Sequence, residues 1–301
     1  MATLQEASGT DLELAATQVH GPMYYVWRSL RSNNSARVGA VIILLFALAA
    51  LLAPIVHPYN ARRDLNLRER LQPPSRSHPF GTDDKGRDVL VRVVHGGRVS
   101  LRVGFSAVLL ALSVGTAIGL TAGQLGGWVD SLLMRTMDIV LAFPSTLLAI
   151  AIVAMRGPGL GNTMLAVGIV GIPIYARLAR SMALQIREQE FVVAARSIGV
   201  GETRILIRHL LPNSLSPLIV QATLGIGTAV LEAAALGFLG LGQQPPFPEW
   251  GAMLSDGYKF LTSGSWWVLL FPGLAIMLTV LGFNLLGDGL RDALDPRLRG
   301  V

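Results

Sequence analysis

The chain has 301 residues, of which 51% are hydrophobic and 15% are charged, whereas charged residues make up about 25% of a typical soluble domain. This balance excludes a protein that hides its apolar residues in one soluble core, and it favours a membrane protein. The chain contains no cysteine, which excludes disulfides and thiolate metal sites. The net charge of +6 comes almost wholly from arginine and suits anionic lipid surfaces and acidic partners. No basic stripe alternates with aromatic residues, so we expect no nucleic-acid partner.

Six apolar stretches have, or approach, the length of about 20 residues that a membrane helix needs. Their apolar runs are continuous rather than alternating, which indicates helices and not barrel strands. The first 35 residues are polar and mixed in charge, so we expect a cytoplasmic tail before an uncleaved first span. The predicted spans are Val38–Val56; Val103–Gly123; Ile139–Met155, with Leu132–Asp138 as its first turns; Leu160–Ala176; Leu210–Leu231, continuing to about Gly240; and Phe260–Gly287, with Trp266 and Trp267 as an aromatic belt.

Three connections between these spans are long. Segment 57–98 is polar and contains prolines, which predicts turns plus a short helix, and segment 182–213 is polar and helical. Segment 241–259 is rich in proline and predicts an interfacial loop. Charge does not orient the chain, because an inside N-terminus puts 13 Lys/Arg inside and 12 outside. No internal repeat is visible, so an inverted-repeat secondary transporter is not supported.

The connection after the fourth span carries the most informative pattern. Phe191, Ala194, Ala195 and Ile198 recur at helical spacing and predict one apolar stripe on a short helix, which Gly199 ends. A second helical stretch, Glu202–Leu211, is expected to end at Pro212. Periodicity alone leaves two interpretations open. One is a helix on the membrane surface, stabilised by anionic lipid, and the other is a docking helix for an acidic or polar protein.

The spacing of this stretch resembles the EAA loop of ABC importer permeases. That loop has two alanines, a glycine four residues later and Leu-Pro about a dozen residues after that, matched here by Ala194, Ala195, Gly199, Leu211 and Pro212. Val193 stands where the motif has its glutamate, although Glu190 lies one turn earlier. The resemblance runs from about Arg28 to the C-terminus. Four further stretches resemble the second permease of dipeptide importers, in the same order: His78–Leu101, Met137–Ile150, Ala235–Leu254 and Phe283–Gly300.

The resemblance implies an all-α, polytopic fold with six transmembrane helices, of the type I, MetI-like class of ABC importer permeases. It implies a bacterial inner-membrane protein with both termini in the cytoplasm. The implied organisation is a tail (1–37), a first span (38–56), an extracytoplasmic segment (57–98), a five-helix core (99–288) containing the coupling loop 187–213, and a tail (289–301). The residues implied for the ATPase-coupling loop are Glu190, Phe191, Ala194, Ala195, Arg196, Ile198, Gly199, Leu211 and Pro212.

The resemblance also implies the function and the partners. The expected function is ATP-driven import of dipeptides or short oligopeptides by alternating access, with glutathione or nickel chelates as alternative substrates. The expected partners are a homologous second permease, two ATP-binding subunits, an extracytoplasmic peptide-binding protein and the lipid membrane. A rival from another class is an ATP-independent secondary transporter or channel.

The chain lacks the residues of an ATPase. It has no Gly-x-x-x-x-Gly-Lys-Ser/Thr loop, because neither Lys85 nor Lys259 lies in that context. We therefore expect a non-catalytic subunit that binds no cofactor, with ATP and Mg²⁺ on partner subunits. His78 and the aspartates at 83, 84 and 88 match neither an EF-hand nor a zinc spacing, so turn chemistry is expected there instead of a metal site.

Glu232 is an ionisable residue within the fifth predicted span. A carboxylate at the bilayer centre costs at least about 2.5–3.5 kcal/mol on insertion scales, so it should face protein or a water-filled path. Two interpretations stay open: a translocation-path residue that meets a peptide's amino group, or a buried carboxylate bonded to a neighbouring helix. Asp138 is expected to pair locally with Arg135, one turn away. Prolines within spans are either gating hinges or tolerated helix residues: Pro144, Pro173 and Pro272.

Overall fold

The computed structural model describes residues 33–60 and 64–294, and within these ranges the chain is helical without a β-strand. The predicted tails lie mostly outside the described residues. Their described parts, 33–37 and 289–294, belong almost entirely to the first and last helices. The helices are α1 (Asn34–Val56), α2 (Val89–Leu125), α3 (Gly127–Leu141), α4 (Ser145–Arg156), α5 (Leu160–Ile186), α6 (Glu190–Ser197), α7 (Glu202–Ile205), α8 (Leu211–Phe238), α9 (Trp250–Tyr258) and α10 (Trp267–Leu294).

Long apolar helices dominate the described part of the chain. Four of them, α1, α2, α5 and α10, are long and apolar enough to cross a membrane, and so is the stretch from Glu202 to Phe238. Helices α3 and α4 meet the requirement only as a pair. With that pair counted as one span, the described residues contain six candidate crossings. The predicted all-α, polytopic fold is confirmed.

The third predicted span is not straight. Helices α3 and α4 meet at an angle of 89°, with Ala142, Phe143 and Pro144 between them. Pro144 has no backbone N–H, and its ring disfavours the helical conformation at the preceding residue. The predicted span Ile139–Met155 is therefore divided at Pro144, for which the sequence left a hinge and a tolerated proline open. Pro173 and Pro272 instead lie buried inside α5 and α10.

Small residues let α2 and α5 pack closely side by side. Gly115, Gly119 and Gly123 recur every four residues on α2 and face the alanines of α5. A Cβ atom on Gly119 would lie 2.1 Å from the carbonyl oxygen of Ala176, so a larger side chain has no room. Membrane helices associate largely through such packing, because lipid offers no hydrophobic drive between them. The two helices run parallel, since Gly119 packs beside Ala176 and Gly123, further along α2, packs beside Ala183, further along α5.

The connections sort to two ends of the bundle. Asn33, at the start of α1, donates a 3.1 Å hydrogen bond from its side chain to Asp292 near the end of α10, so both described chain ends lie together. Arg187, at the end of α5, donates to the backbone carbonyl of Gly123, at the end of α2. The end that carries α6 and α7 is called the loop end. The opposite end, which carries the 57–88 connection and α9, is called the far end.

Several helix boundaries differ from the predicted ones, and two differences at the far end have a clear physical reason. Helix α2 begins at Val89 instead of near Val103, because Asp88 caps it by accepting a 3.1 Å hydrogen bond from the backbone N–H of Val91. The predicted interfacial loop 241–259 contains helix α9, whose first residue, Trp250, is fully buried. The capping carboxylate and the buried tryptophan fix these elements in place, which apolar length alone does not reveal.

The far end holds a buried polar network. Asp83 accepts hydrogen bonds from the side chains of Arg87, at 2.7 Å, and Arg92, and from the backbone N–H of Lys85. The expected turn chemistry is therefore present. Trp266 and Trp267 were expected to form an aromatic belt. Trp267 is instead buried and donates to the carbonyl of Thr82, whereas Trp266 is half-exposed. Burial of charges needs such pairing.

Candidate functional site

Helix α6 presents most of its predicted apolar stripe to the outside. Phe191 is 46% exposed and Ile198, just past the helix end, is 82% exposed, and Ala194 is exposed between them. The fourth member of the stripe, Ala195, is buried, as is Val192 on the same inner side. The apolar attachment on the inner side of the helix thus consists of two small side chains. Its larger apolar side chains remain available to a partner.

Gly199 ends this helical segment as predicted. Its φ of +83° is a conformation that residues with a Cβ rarely adopt. The backbone N–H of Gly199 donates to the carbonyl of Arg196 at 3.0 Å, and that of Val200 donates to Ala195 at 3.1 Å. These bonds satisfy the last carbonyls of the helix. The chain then turns towards α7 without covering Ile198.

Pro212 begins a membrane helix instead of ending a loop helix. It follows a π-helical turn at Leu206–Leu210, and α8 continues from Leu211 to Phe238. A proline cannot donate a backbone hydrogen bond, and its ring crowds the carbonyl four residues earlier, so the preceding turn widens. Leu210 is fully buried at this turn. The loop is therefore joined without a break to the fifth span.

Two hydrogen-bonded contacts tie the loop to the end of α2. Arg187 donates to the carbonyl of Gly123 at 3.0 Å. The Glu202 carboxylate accepts from Arg196 at 3.0 and 3.3 Å and from the amide of Gln124. The bonded carboxylate raises the pKa of Arg196 above its usual value. The sequence predictions missed Glu202 and Gln124, because no local pattern connects residues 78 positions apart.

Glu190 and Val193 both lie exposed on α6. Glu190 stands in the first turn of the helix, where a negative charge is favourable. Val193, at the position of the motif's glutamate, is 48% exposed. The outward face of α6 therefore carries one carboxylate, a turn before the motif position, and an extra apolar side chain.

A cavity of about 190 Å³ lies in the middle of the bundle, between α2, the α3–α4 bend, α5 and α8. Its lining is mostly apolar. The polar side chains that line it are Ser145, Tyr175, Gln221, Thr228 and Glu232. Such a mixture of an apolar wall with a few polar groups is typical of a small-molecule site.

Glu232 is half-buried on α8 and opens into this cavity. The hydroxyl of Ser145, the first residue of α4, lies close enough to stabilise its carboxylate. Tyr175 is buried, and its hydroxyl lies 3.5 Å from the carbonyl of Gln221. Glu232 thus has both a cavity to face and a partner on a neighbouring helix, so each of its two interpretations has a structural counterpart.

Asp138 does not pair with Arg135. Its carboxylate lies 2.5 Å from Arg177 of α5, and Asp130 accepts two hydrogen bonds of 2.5 Å from Arg180. Helix α3 runs antiparallel along α5, so the guanidinium groups of α5 reach across to it. The expected local ion pair is wrong, because the packing of the two helices brings a better-placed arginine.

Two family models match the chain. Residues 115–300 match the model described as binding-protein-dependent transport system inner membrane component. Residues 21–74 match the N-terminal TM domain of oligopeptide transport permease C. Among solved structures, the chain resembles one of the MetNI methionine ABC transporter in an inward-facing conformation, with a TM-score of 0.51 and 18% identity over 66% of this chain and 96% of that chain. This likeness concerns the fold alone.

Curated relatives match nearly the whole chain. A dipeptide transport system permease protein of Alkalihalophilus pseudofirmus is 55% identical over 92% of this chain and 91% of its own length. A di/tripeptide transport system permease protein of Pseudomonas aeruginosa is 47% identical over 93% and 94%. A glutathione transport system permease protein of Escherichia coli is 46% identical over 94% and 93%. From these matches, the chain belongs to the family of binding-protein-dependent transport system inner membrane components.

Proposed function

We propose that this chain is the permease subunit of an ATP-driven importer that carries dipeptides or short oligopeptides across the bacterial inner membrane. The observation that carries the proposal is the exposed apolar surface of α6, at the position of the family's coupling loop, in a chain 55% identical to a dipeptide permease. A glutathione permease at 46% identity supports glutathione as a second candidate substrate. Nickel chelates remain the third.

The proposed partners follow from the family and the exposed surfaces. Two ATP-binding subunits hold ATP and Mg²⁺, and one of them docks on α6 through Phe191 and Ile198. A homologous second permease completes the path across the membrane, and an extracytoplasmic binding protein delivers the peptide. This chain contributes no catalytic residue to ATP hydrolysis.

The proposed orientation puts the loop end in the cytoplasm and the far end outside. The described start of α1 and end of α10 adjoin each other, which supports an even number of crossings with both termini on one side. The loop 187–213 connects α5 to α8 and contacts the end of α2, so it shares an end with the start of α3. The basic segment 57–98 at the far end then lies outside. The positive-inside rule by itself would not place a basic segment on that side.

The proposed mechanism is alternating access. Closure of the ATP-binding subunits moves α6, and the joined helices then open the path on the other side of the membrane. The substrate must interact differently with the two states, since equal binding shifts neither. Glu232 is proposed as a path residue that attracts the peptide's amino group. It is the carboxylate among the residues that line the central cavity.

Reconstitution tests both the class and the substrate. The complete complex is placed in liposomes with the binding protein, and ATP hydrolysis and uptake are measured with a dipeptide, a pentapeptide, glutathione and a nickel chelate. We expect the dipeptide to stimulate both hydrolysis and uptake, with omission of ATP as the control. Stimulation by glutathione or nickel chelate alone would overturn the peptide assignment. Uptake by the single chain without ATP would overturn the importer class in favour of a secondary transporter.

A further inference from the structure

Helix α2 connects the two ends of the bundle without interruption. It has 37 residues, which at about 1.5 Å per residue gives a length of about 55 Å, well beyond the roughly 30 Å of the bilayer core. It contains no proline. Its glycines pack against α5 and α8 over much of the length, so lateral bending is restricted. A displacement at one end is therefore carried to the other.

The inner joint of α2 lies at Gly123 and Gln124. Gln124 is buried, and its amide donates to Glu202 in the first turn of α7. Glu202 in turn holds Arg196 of α6 through two hydrogen bonds. One carboxylate thus connects the docking helix to the end of α2. The single oxygen of the Gln124 amide finds no hydrogen-bond partner among the described residues, so the Gln124 side chain contributes to the joint only through its N–H group, beside the contact of Arg187 with the Gly123 carbonyl.

The outer joint of α2 lies at the far end, against α9. The indole N–H of Trp250 donates to the backbone carbonyl of Val93 at 2.8 Å. The hydroxyl of Ser100 donates to the carboxylate of Glu249 at 3.3 Å. Glu249 is only 3% exposed and also caps α9 by accepting from two backbone N–H groups. Helix α9 is therefore fixed to α2 by buried polar contacts.

We infer that α2 is the rod that couples the ATPase-docking helix to the extracytoplasmic helix α9, with the Glu202–Gln124 pair as its inner joint. The inference rests on the proposed function. It assigns Glu202 and Gln124 as positioning residues, which neither touch the substrate nor lie in the residues implied by the EAA motif. A loaded binding protein at the far end then signals through α2 to α6, and the ATPase drives the rod in the opposite direction.

The test first breaks the Glu202–Gln124 pair and then restores it with the amide and the carboxylate at exchanged positions. Gln124→Glu places two carboxylates together and breaks the joint. Glu202→Gln combined with Gln124→Glu again pairs one amide with one carboxylate. The matched control is Gln185→Glu, the same replacement at an exposed position of α5 near the loop end. The measured quantity in the complete reconstituted complex is the ratio of ATP hydrolysis with loaded binding protein to hydrolysis without it, together with uptake per ATP.

We expect Gln124→Glu to lower both ratios by about 2- to 30-fold, the range that mutations along a coupling route commonly produce. The double variant should recover part of this loss, because the amide that replaces the Glu202 carboxylate still accepts a hydrogen bond from Arg196 but carries no charge, and Gln185→Glu should match the wild type. A merely structural role would reduce the amount of assembled complex in detergent, and the double variant would not restore the two ratios. Wild-type ratios in Gln124→Glu, or no recovery in the double variant, would overturn the inference. Absence of stimulation in the wild-type complex would instead count against the proposed function.

Discussion

Ile198 offers the sharpest test of the docking surface on α6. The side chain is 82% exposed, and it lies where the resemblance places contact with an ATP-binding subunit. Full burial of an isoleucine contributes about 1.5–3 kcal/mol, so burial of this exposed fraction contributes about 1.2–2.5 kcal/mol. Ile198→Ser should therefore weaken association with the ATPase subunit by about 7- to 60-fold, since each 1.4 kcal/mol is tenfold.

The assay measures the affinity of the purified ATPase subunit for the permease complex in nanodiscs, by surface-based or fluorescence binding. The matched control is Ile55→Ser. Ile55 is 76% exposed, but it lies in the last turn of α1, at the opposite end of the bundle. We expect this control to leave the ATPase affinity unchanged. Neither replacement removes a buried contact, so both variants should retain the thermal stability of the wild type.

Two results would show that Ile198 does not contact the ATPase subunit. If Ile198→Ser binds the ATPase as tightly as the wild type, the exposed end of α6 is not a docking surface. If Ile55→Ser weakens binding equally, the effect belongs to apolar surface in general and not to this helix. A weaker loss for Phe191→Ser is consistent with the argument, because that side chain has less exposed surface to bury.

Three further predictions concern the bundle and the cavity. Gly119→Val should destabilise the chain by about 1–3 kcal/mol, because a Cβ would meet a carbonyl of α5 at 2.1 Å, whereas Gly161→Ala, with open space around it, should not lower the unfolding temperature. Burial raises the pKa of the Glu249 carboxyl above its ordinary 4.5, so the folded chain holds this proton more tightly than the unfolded chain does. The wild type should therefore lose stability as the pH rises above 4.5. Between pH 4.5 and 8, the unfolding temperature of Glu249→Gln should fall less than that of the wild type. Glu232→Gln should reduce dipeptide uptake and dipeptide-stimulated ATPase activity in the reconstituted complex, while Asp288→Asn, at an exposed carboxylate outside the cavity, should not; unchanged activity in Glu232→Gln would remove it from the proposed path.

The sequence predicted the features of the fold that depend on local chemistry. Apolar length located the long helices, because a membrane-crossing helix must satisfy its own backbone. Helical spacing located α6, and Gly199 ended it as expected, since a positive φ is a property of that single residue. These signals act within a few residues of one another.

Other features escaped prediction because they depend on tertiary packing. Proline is tolerated inside many membrane helices, as the buried Pro173 shows, so the sequence alone does not distinguish the break at Pro144 from an unbroken helix. The partner of Asp138 was misassigned because α5 supplies Arg177 from outside the local sequence. The joint between Glu202 and Gln124 has no sequence signature for the same reason. For the candidate site, the sequence therefore predicted helix α6 but not how it is attached.

The two ends of the bundle are stabilised in different ways, and this difference bears on how force is transmitted. At the far end, Asp83, Arg87 and Arg92 form a buried network, and Glu249 and Trp250 are also almost fully buried. Removing one partner from a buried ion pair commonly costs about 3–5 kcal/mol, so this end should behave as a rigid body. At the loop end, the ion pair that holds α6 is the half-exposed one between Arg196 and Glu202, and such pairs are worth about 0.2–1 kcal/mol. Small differences in partner binding can therefore shift the loop end, while the rigid far end follows as one piece.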